Sequence, residues 1–188
     1  EFLVSLSGLV RGLPSGVLVA SGDVLLVFDP LQISFQRSGV IGVAAAVPAK
    51  MGTRHGVYVS DPGHPWVRAF LHKPSRELLD RWNAVAEDDT VQVDTGLVWL
   101  DADVTAKLAR VADLGAVAGL PAGNPLNLYG DLLLPLSPST TLGGYLDDTS
   151  DGPDSPAIRE ARKAIWDRMR GTPLSVERLQ PAVLLHFG

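Results

Sequence analysis

Between Gly16 and Leu26 the chain reads Gly-Val-Leu-Val-Ala-Ser-Gly-Asp-Val-Leu-Leu, an apolar stretch with no polar break that ends in a small-residue turn and delivers one carboxylate, Asp23. Strands exposed on one face alternate apolar and polar residues. An unbroken run is how a strand covered on both faces of a mainly parallel sheet reads. In open α/β sheets, ligands bind just beyond the carboxyl ends of the strands, so an acid placed there by a glycine turn is positioned to hold a metal. The same Gly-Asp pair also reads as a helix-capping aspartate.

Further along, segments of strand and helix character alternate. Gly39 to Val47 is a second apolar strand, rich in small residues that admit a close neighbour. His55 to Asp61 and Val67 to His72 alternate in the manner of a hairpin, with Pro62-Gly63 between them and Lys73-Pro74 after them. Ser75 is a candidate N-cap for a helix from Arg76 to Ala84 with Leu78, Leu79 and Trp82 on one stripe. Val91 to Leu100 is a long strand interrupted by Asp94-Thr95-Gly96, where the missing side chain permits a bulge or close approach of a ligand.

Asp101 and Asp103 lead into an amphipathic helix from Val104 to Leu114. Leu126 to Leu134 is ambiguous between helix and strand, and the step from Leu128 to Leu132 favours helix. After the acidic loop from Leu146 to Ser155, a helix runs from Ala157 to Arg170 with Ile158, Ala161, Ile165 and Met169 inward, and Gly171 ends it. These patterns predict an α/β fold: a mixed, mainly parallel sheet with flanking helices.

The bulk properties narrow the function. A chain of 188 residues suffices for one full core, and 46% hydrophobic with 20% charged residues is ordinary globular composition. The formal net charge of -5 argues against non-specific binding to nucleic acid or acidic membranes, so the charge of a phosphorylated ligand must be met locally. With no cysteine, disulfides, zinc-thiolate sites and thiol catalysis are excluded. No apolar run approaches the roughly 18 residues of a membrane helix, and Glu1-Phe-Leu-Val-Ser lacks the basic start of a signal peptide. A cytoplasmic setting is the default expectation.

Both ends of the chain look cut. Phe2 to Val10 reads as the last turns of a helix, and Val183 to Gly188 as an apolar strand with nothing after it. The expected organisation is a core over residues 1–135, then an acidic loop, helix and strand over 136–188 leading to a further domain.

Single motifs say little. There is no G-x-x-x-x-G-K loop, no dinucleotide glycine fingerprint and no G-x-S-x-G turn. The histidines at 55, 64, 72 and 186 fit no metal-binding spacing on a helix; His64 and His72 read as surface or hairpin residues, and His55, followed by Gly56 at a strand entrance, as structural or ligand-facing. Lys73 reads as a solvated hairpin lysine or as a functional cation.

The order of four items is more informative: a strand ending in Gly22-Asp23, a His55-Gly56-Val57 strand, a strand ending in Lys73-Pro74, and a strand containing Asp94-Thr95-Gly96. That order resembles the sugar-nucleotide pyrophosphorylases. In detail, with Phe70 to Ser75 and Ala164 to Arg168 included, it is similar to the fucokinase/GDP-fucose pyrophosphorylase family over nearly the whole chain.

The resemblance implies a partial nucleotide-diphospho-sugar transferase-like (Rossmann-like) fold and a fucose-1-phosphate guanylyltransferase reaction. A sugar 1-phosphate oxygen would attack the α-phosphate of GTP, release pyrophosphate and leave GDP-sugar. It implies Mg²⁺ on Asp23, with Asp131, the further metal candidate, and Asp101 both second-rank candidates for a metal or hydroxyl ligand. Lys73 would act as the cation on the sugar phosphate and, with Asp23, as a catalytic residue. His55, Gly56, Asp94, Thr95 and Gly96 would contact the substrate, and a kinase or β-helix domain would sit elsewhere on the parent chain.

One departure stands out. The family's glycine-rich G-G-x-G-T-R-like triphosphate segment is absent, as is a kinase phosphate loop. The chain by itself is therefore expected not to turn over GTP and fucose 1-phosphate. The alternative is an L-fucokinase-family module that binds a sugar nucleotide or acts as a scaffold without catalysing.

Overall fold

The computed structural model describes residues 12–113, 115–120, 126–148 and 155–187. The expected helix at Phe2 to Val10 and the middle of the acidic loop lie outside them. In chain order the strands are β1 Gly16–Ala20, β2 Val24–Phe28, β3 Val40–Pro48, β4 Gly56–Val59, β5 Ala69–His72, β6 Thr90–Asp101, β7 Leu174–Leu179 and β8 Ala182–His186. The α-helices are α1 Ala49–Gly52, α2 Arg76–Arg81, α3 Ala102–Ala112, α4 Gly115–Ala118, α5 Leu142–Leu146 and α6 Pro156–Met169. A π-helical turn, Leu128–Leu133, lies in the segment whose sequence was ambiguous.

The capping chemistry of the sequence sets the helix starts. Ser75 accepts from the N–H of Leu78, Asp101 from Val104 and Ser155 from Ile158. Gly171, at φ +84°, follows α6 in the left-handed conformation usual after a helix end.

The main sheet runs β5-β4-β6-β3-β7, and β1 also pairs with β6. It is a mixed sheet with flanking helices, but it is not mainly parallel. The pairing of β3 with β7 is parallel, and those of β6 with β3, β4 and β1 and of β4 with β5 are antiparallel. The unbroken apolar runs have another cause, which is burial of both sheet faces.

On β3 and β6, Val40, Ala44, Val98 and Leu100 face a helical layer that includes Val104, Ile165 and Met169. Ile41, Val43, Leu97 and Trp99 face the other way, onto Phe35 and Leu179. That second face is covered by a separate ribbon in which β2 pairs antiparallel with β8, with Leu26, Phe28 and Ala182 turned inward. The strand β1, by contrast, is an edge strand with Val17 40% exposed, so the run from Gly16 to Ala20 is not a strand buried on both faces.

A bulge organises the sheet. Gly42 pairs with Val98 and Ala44 with Asp94, so the single residue Val43 of β3 faces Thr95, Gly96 and Leu97 of β6. Thr95 Oγ1 donates to the carbonyl of Val43 (2.8 Å) and pins the bulge to its neighbour. Gly96 has φ +75°, and a Cβ there would stand 2.5 Å from Ser21 Cβ, so the sequence needs glycine on both counts.

Along the opposite edge of β6, β1 pairs from Leu97 to Asp101 and β4 at Val93. Asp94, Thr95 and Gly96 fall between these two partners, leaving a gap in the sheet.

Gly42 keeps the β3 side of this arrangement open. An added Cβ would overlap the ring and hydroxyl of Tyr58, whose hydroxyl is committed to Asp94. Gly42→Ala is expected to lower stability by about 1–3 kcal/mol through overpacking. Chemical denaturation measures this; an unchanged midpoint would contradict the packing described.

Candidate functional site

The gap between β1 and β4 is the floor of a cleft of about 210 Å³. Four parts of the chain meet in it: the β1–β2 turn with Ser21 and Asp23, the entrance to β4 with Arg54, His55 and Gly56, the end of β5 with His72 and Lys73, and the bulge with Asp94, Thr95 and Gly96. Asn127 and Tyr129 close one side, and Leu184 and His186 of β8 another. The antiparallel hairpin of β4 and β5 pairs Gly56 with His72, and the N–H of Lys73 donates to the carbonyl of His55 (3.1 Å). The N–H of Ser21 donates to the carbonyl of Gly96 (2.9 Å), which holds the β1–β2 turn against the bulge.

Asp94 is a buried carboxylate in the cleft wall. It accepts the Tyr58 hydroxyl at 2.6 Å and the Gly96 N–H at 2.8 Å. Burial pushes its carboxyl up to about 6, against the hydrogen bonds from Tyr58, Gly96 and Tyr129 that favour the ionised form. Burial, with the neighbouring Asp94 charge, also raises the Tyr58 phenol well above its ordinary value, so it serves here as a donor.

Lys73 has φ +45°, in the left-handed region, immediately before Pro74. Both the side chain and the following proline disfavour this conformation, and strain of this kind collects at functional positions.

Asp23 stays exposed. One oxygen accepts the Ser21 hydroxyl and the other lies 3.3 Å from His186 Nε2. The Ser21 hydroxyl, with a smaller contribution from His186, holds its carboxyl below the usual range. The ring of His186 meets that of His55 edge-on, with centroids 5.1 Å apart. Burial, followed by the charges of His186 and Arg54, lowers the His55 imidazole.

The cleft thus gathers Asp23, His55, Gly56, Lys73, Asp94, Thr95 and Gly96, but not Asp131. The Asp131 carboxylate is buried elsewhere, accepting Arg162 Nε at 2.7 Å and the Asn127 N–H at 2.6 Å. Paired with the buried Arg162 guanidinium, it is an internal counter-ion that lies outside the cleft. Asp101 likewise accepts the N–H groups of Val104 (2.7 Å) and Gly39 (2.6 Å).

Among the described residues no three His, Cys, Asp or Glu side chains are grouped to share a metal. The one exposed carboxylate of the cleft faces a hydroxyl and an imidazole. One carboxylate is within the number that a Mg²⁺ held mainly by substrate phosphates takes from a protein, but both oxygens of this one already meet protein groups, the Ser21 hydroxyl and the His186 imidazole.

Sequence reasoning missed Arg54, His72, Asn127, Tyr129 and His186. His72, read as a surface or hairpin residue, is a hairpin residue whose side chain is buried, 3.6 Å from Asp148 and stacked near Tyr129. Asn127 carried a usable signal, since it caps the turn that begins at Leu128. His186 reaches the cleft only through the long-range pairing of β8 with β2, which no local pattern encodes.

The fold and cleft define a mixed α/β protein with a small ligand site rich in basic side chains. A family model described as the fucose pyrophosphorylase domain matches residues 1–188, and the chain belongs to that family. It is 28% identical to the fucose-1-phosphate guanylyltransferase of Mus musculus, with 92% of this chain and 34% of that protein aligned. It is 27% identical to the fucose-1-phosphate guanylyltransferase of Homo sapiens, with 92% and 33% aligned. The chain spans about a third of the length of these relatives.

Two predictions follow from the cleft's geometry. The Asp94 carboxyl is raised on folding, so its stabilising contribution is complete below about pH 4 and is lost as pH rises through 6, a swing on the order of 3 kcal/mol. The stability of Asp94→Asn relative to wild type should therefore increase between pH 4 and pH 7; a difference independent of pH would contradict the assignment. At Lys73 the usual order of alanine over glycine should reverse, with Lys73→Gly about 1 kcal/mol more stable than Lys73→Ala, or about 2–4 °C in melting midpoint. The ordinary order would show the left-handed backbone to be unstrained.

Proposed function

We propose that the cleft is the sugar-phosphate site of a nucleotide-diphospho-sugar transferase-like domain, and that the longer protein is a fucose-1-phosphate guanylyltransferase. In that reaction a phosphate oxygen of the sugar 1-phosphate attacks the α-phosphorus of GTP. The bond from that phosphorus to the bridging oxygen breaks, and pyrophosphate leaves. Little covalent chemistry falls to the protein; placement and charge stabilisation carry the rate.

The observation that carries this reading is the meeting of Lys73, the bulge residues Asp94 to Gly96 and the Asp23 turn around one cleft. Its volume of about 210 Å³ lies below the ~300–1,000 Å³ of sites for drug-sized ligands, which suits a monosaccharide phosphate. In this reading the Lys73 ammonium acts as a point charge on the phosphate. Asp94, fixed by Tyr58 and Gly96, accepts from sugar hydroxyls, and the Gly96 backbone lets the ring approach closely. Thr95 serves through its backbone, because its hydroxyl is committed to Val43. The family membership and the two guanylyltransferase relatives support the choice of sugar and base.

Calorimetric titration with L-fucose 1-phosphate and with GDP-fucose tests the reading. Wild-type chain is expected to bind the sugar phosphate, and Lys73→Ala to weaken it about tenfold or more, the scale of one charge-assisted contact. Absence of binding by wild type, or equal affinity of the variant, would overturn it. Binding of GDP-fucose that does not respond to substitution at Lys73 or Asp94 would favour the non-catalytic module.

A further inference from the structure

Lys73 is not the only basic side chain of the cleft. Arg54 and His186 line it as well, and the reading above gives neither a task. Their placement follows from the fold. Arg54 sits in the turn between α1 and β4, immediately before the strand entrance that forms one wall. His186 is delivered by the ribbon, whose register pairs Val24 with His186 and continues through a hydrogen bond from the Phe187 N–H to the Asp23 carbonyl (2.9 Å).

That register sets the His186 ring beside the Asp23 carboxylate, with Nε2 3.3 Å from Oδ2, while Oδ1 takes the Ser21 hydroxyl. A carboxylate accepting from one ring nitrogen fixes the orientation of an imidazole, and in the imidazolium form, protonated on both nitrogens, the Nδ1–H is the donor left to meet an anionic ligand. The His55 ring stands nearly perpendicular to the same ring and packs against it.

Charge balance gives this pair a purpose. Arg54 and Lys73 are offset in the same lining by Asp23 and Asp94, so a dianionic phosphate needs a further donor. His186 is the side chain that the ribbon supplies. We propose that His186 and Arg54, with Lys73, bind the phosphate group of a phosphorylated ligand in this cleft, and that Asp23 is a positioning residue for His186 and not a metal ligand. The inference rests on the sugar-phosphate reading for the identity of the ligand.

The test titrates L-fucose 1-phosphate, inorganic phosphate and unphosphorylated L-fucose into wild type, His186→Gln, Arg54→Ala, Asp23→Asn and the Asp23→Asn/His186→Gln double variant. Each titration is run once with EDTA and once with Mg²⁺. Arg54 is an exposed turn residue, so its variant keeps the test alive should a ribbon variant fail to fold.

His186→Gln and Arg54→Ala are each expected to weaken the two phosphate ligands about tenfold and to leave L-fucose unchanged. Asp23→Asn should weaken them in EDTA as well as in Mg²⁺. The double variant should bind no worse than His186→Gln alone, because the carboxylate acts through the ring. The ¹⁵N shifts of the His186 ring should move in Asp23→Asn while that variant's affinity for unphosphorylated L-fucose stays at the wild-type value, which a general loss of structure at the ribbon end would also lower.

Wild-type binding of fucose 1-phosphate that is unaffected by His186→Gln and Arg54→Ala would overturn the inference and leave the sugar-phosphate reading standing. Binding lost in EDTA, with Asp23→Asn removing only the Mg²⁺-dependent part, would return Asp23 to a metal role and also overturn it. No binding of any of these ligands by wild type would overturn both.

Discussion

Two extra residues in β6 decide where the cleft can be. Between Asp94 and Val98 the strand carries three residues opposite the single Val43, and two of them, Thr95 and Gly96, fall where β6 has no ladder partner on its other edge. The sheet provides that place by ending β1 and starting β4 on either side of the bulge. Asp94 then holds the irregular segment from below, accepting the Gly96 N–H and the Tyr58 hydroxyl in a setting where unsatisfied polar groups are costly. Cleft and bulge are one structural event: the distortion that opens the sheet also supplies a glycine backbone and a carboxylate to line the opening.

The electrostatics of the cleft follow from that event. Burying Asp94 beside Tyr58 raises the carboxyl to about 6, a departure that three hydrogen-bond donors moderate but do not abolish. Lys73 occupies a backbone conformation that its own side chain opposes, held there by its N–H on the His55 carbonyl and by the hairpin geometry. A raised carboxyl and a lysine with a strained backbone line the same cleft, and features of both kinds collect at functional positions.

Much of this was legible in the sequence, for identifiable reasons. Asp94-Thr95-Gly96 interrupted an apolar strand in a manner that permits a bulge or close approach of a ligand, and Ser75 and Ser155 announced helices by local capping chemistry. The architecture was less legible. Apolar runs in β3 and β6 report burial of both faces, and the sequence does not distinguish helices on both sides from helices on one and a β-ribbon on the other; hence the expectation of a mainly parallel sheet. At Asp131 the carboxylate was visible, whereas its partner Arg162 lay on a distant helix. His186 was invisible for the same reason: its place beside Asp23 depends on a pairing between strands at opposite ends of the chain.

The most direct measurement of the central claim, that the β6 bulge and its surrounding side chains form one phosphosugar site, is a crystal structure of the chain soaked with L-fucose 1-phosphate. The account predicts the ligand in the gap between β1 and β4, with its ring against Gly96 and Asp94 and its phosphate toward Lys73, Arg54 and His186. Density for the ligand at another surface, such as the groove beside β7 formed by Ser34, Arg37 and Arg178, with the cleft holding only solvent, would contradict it.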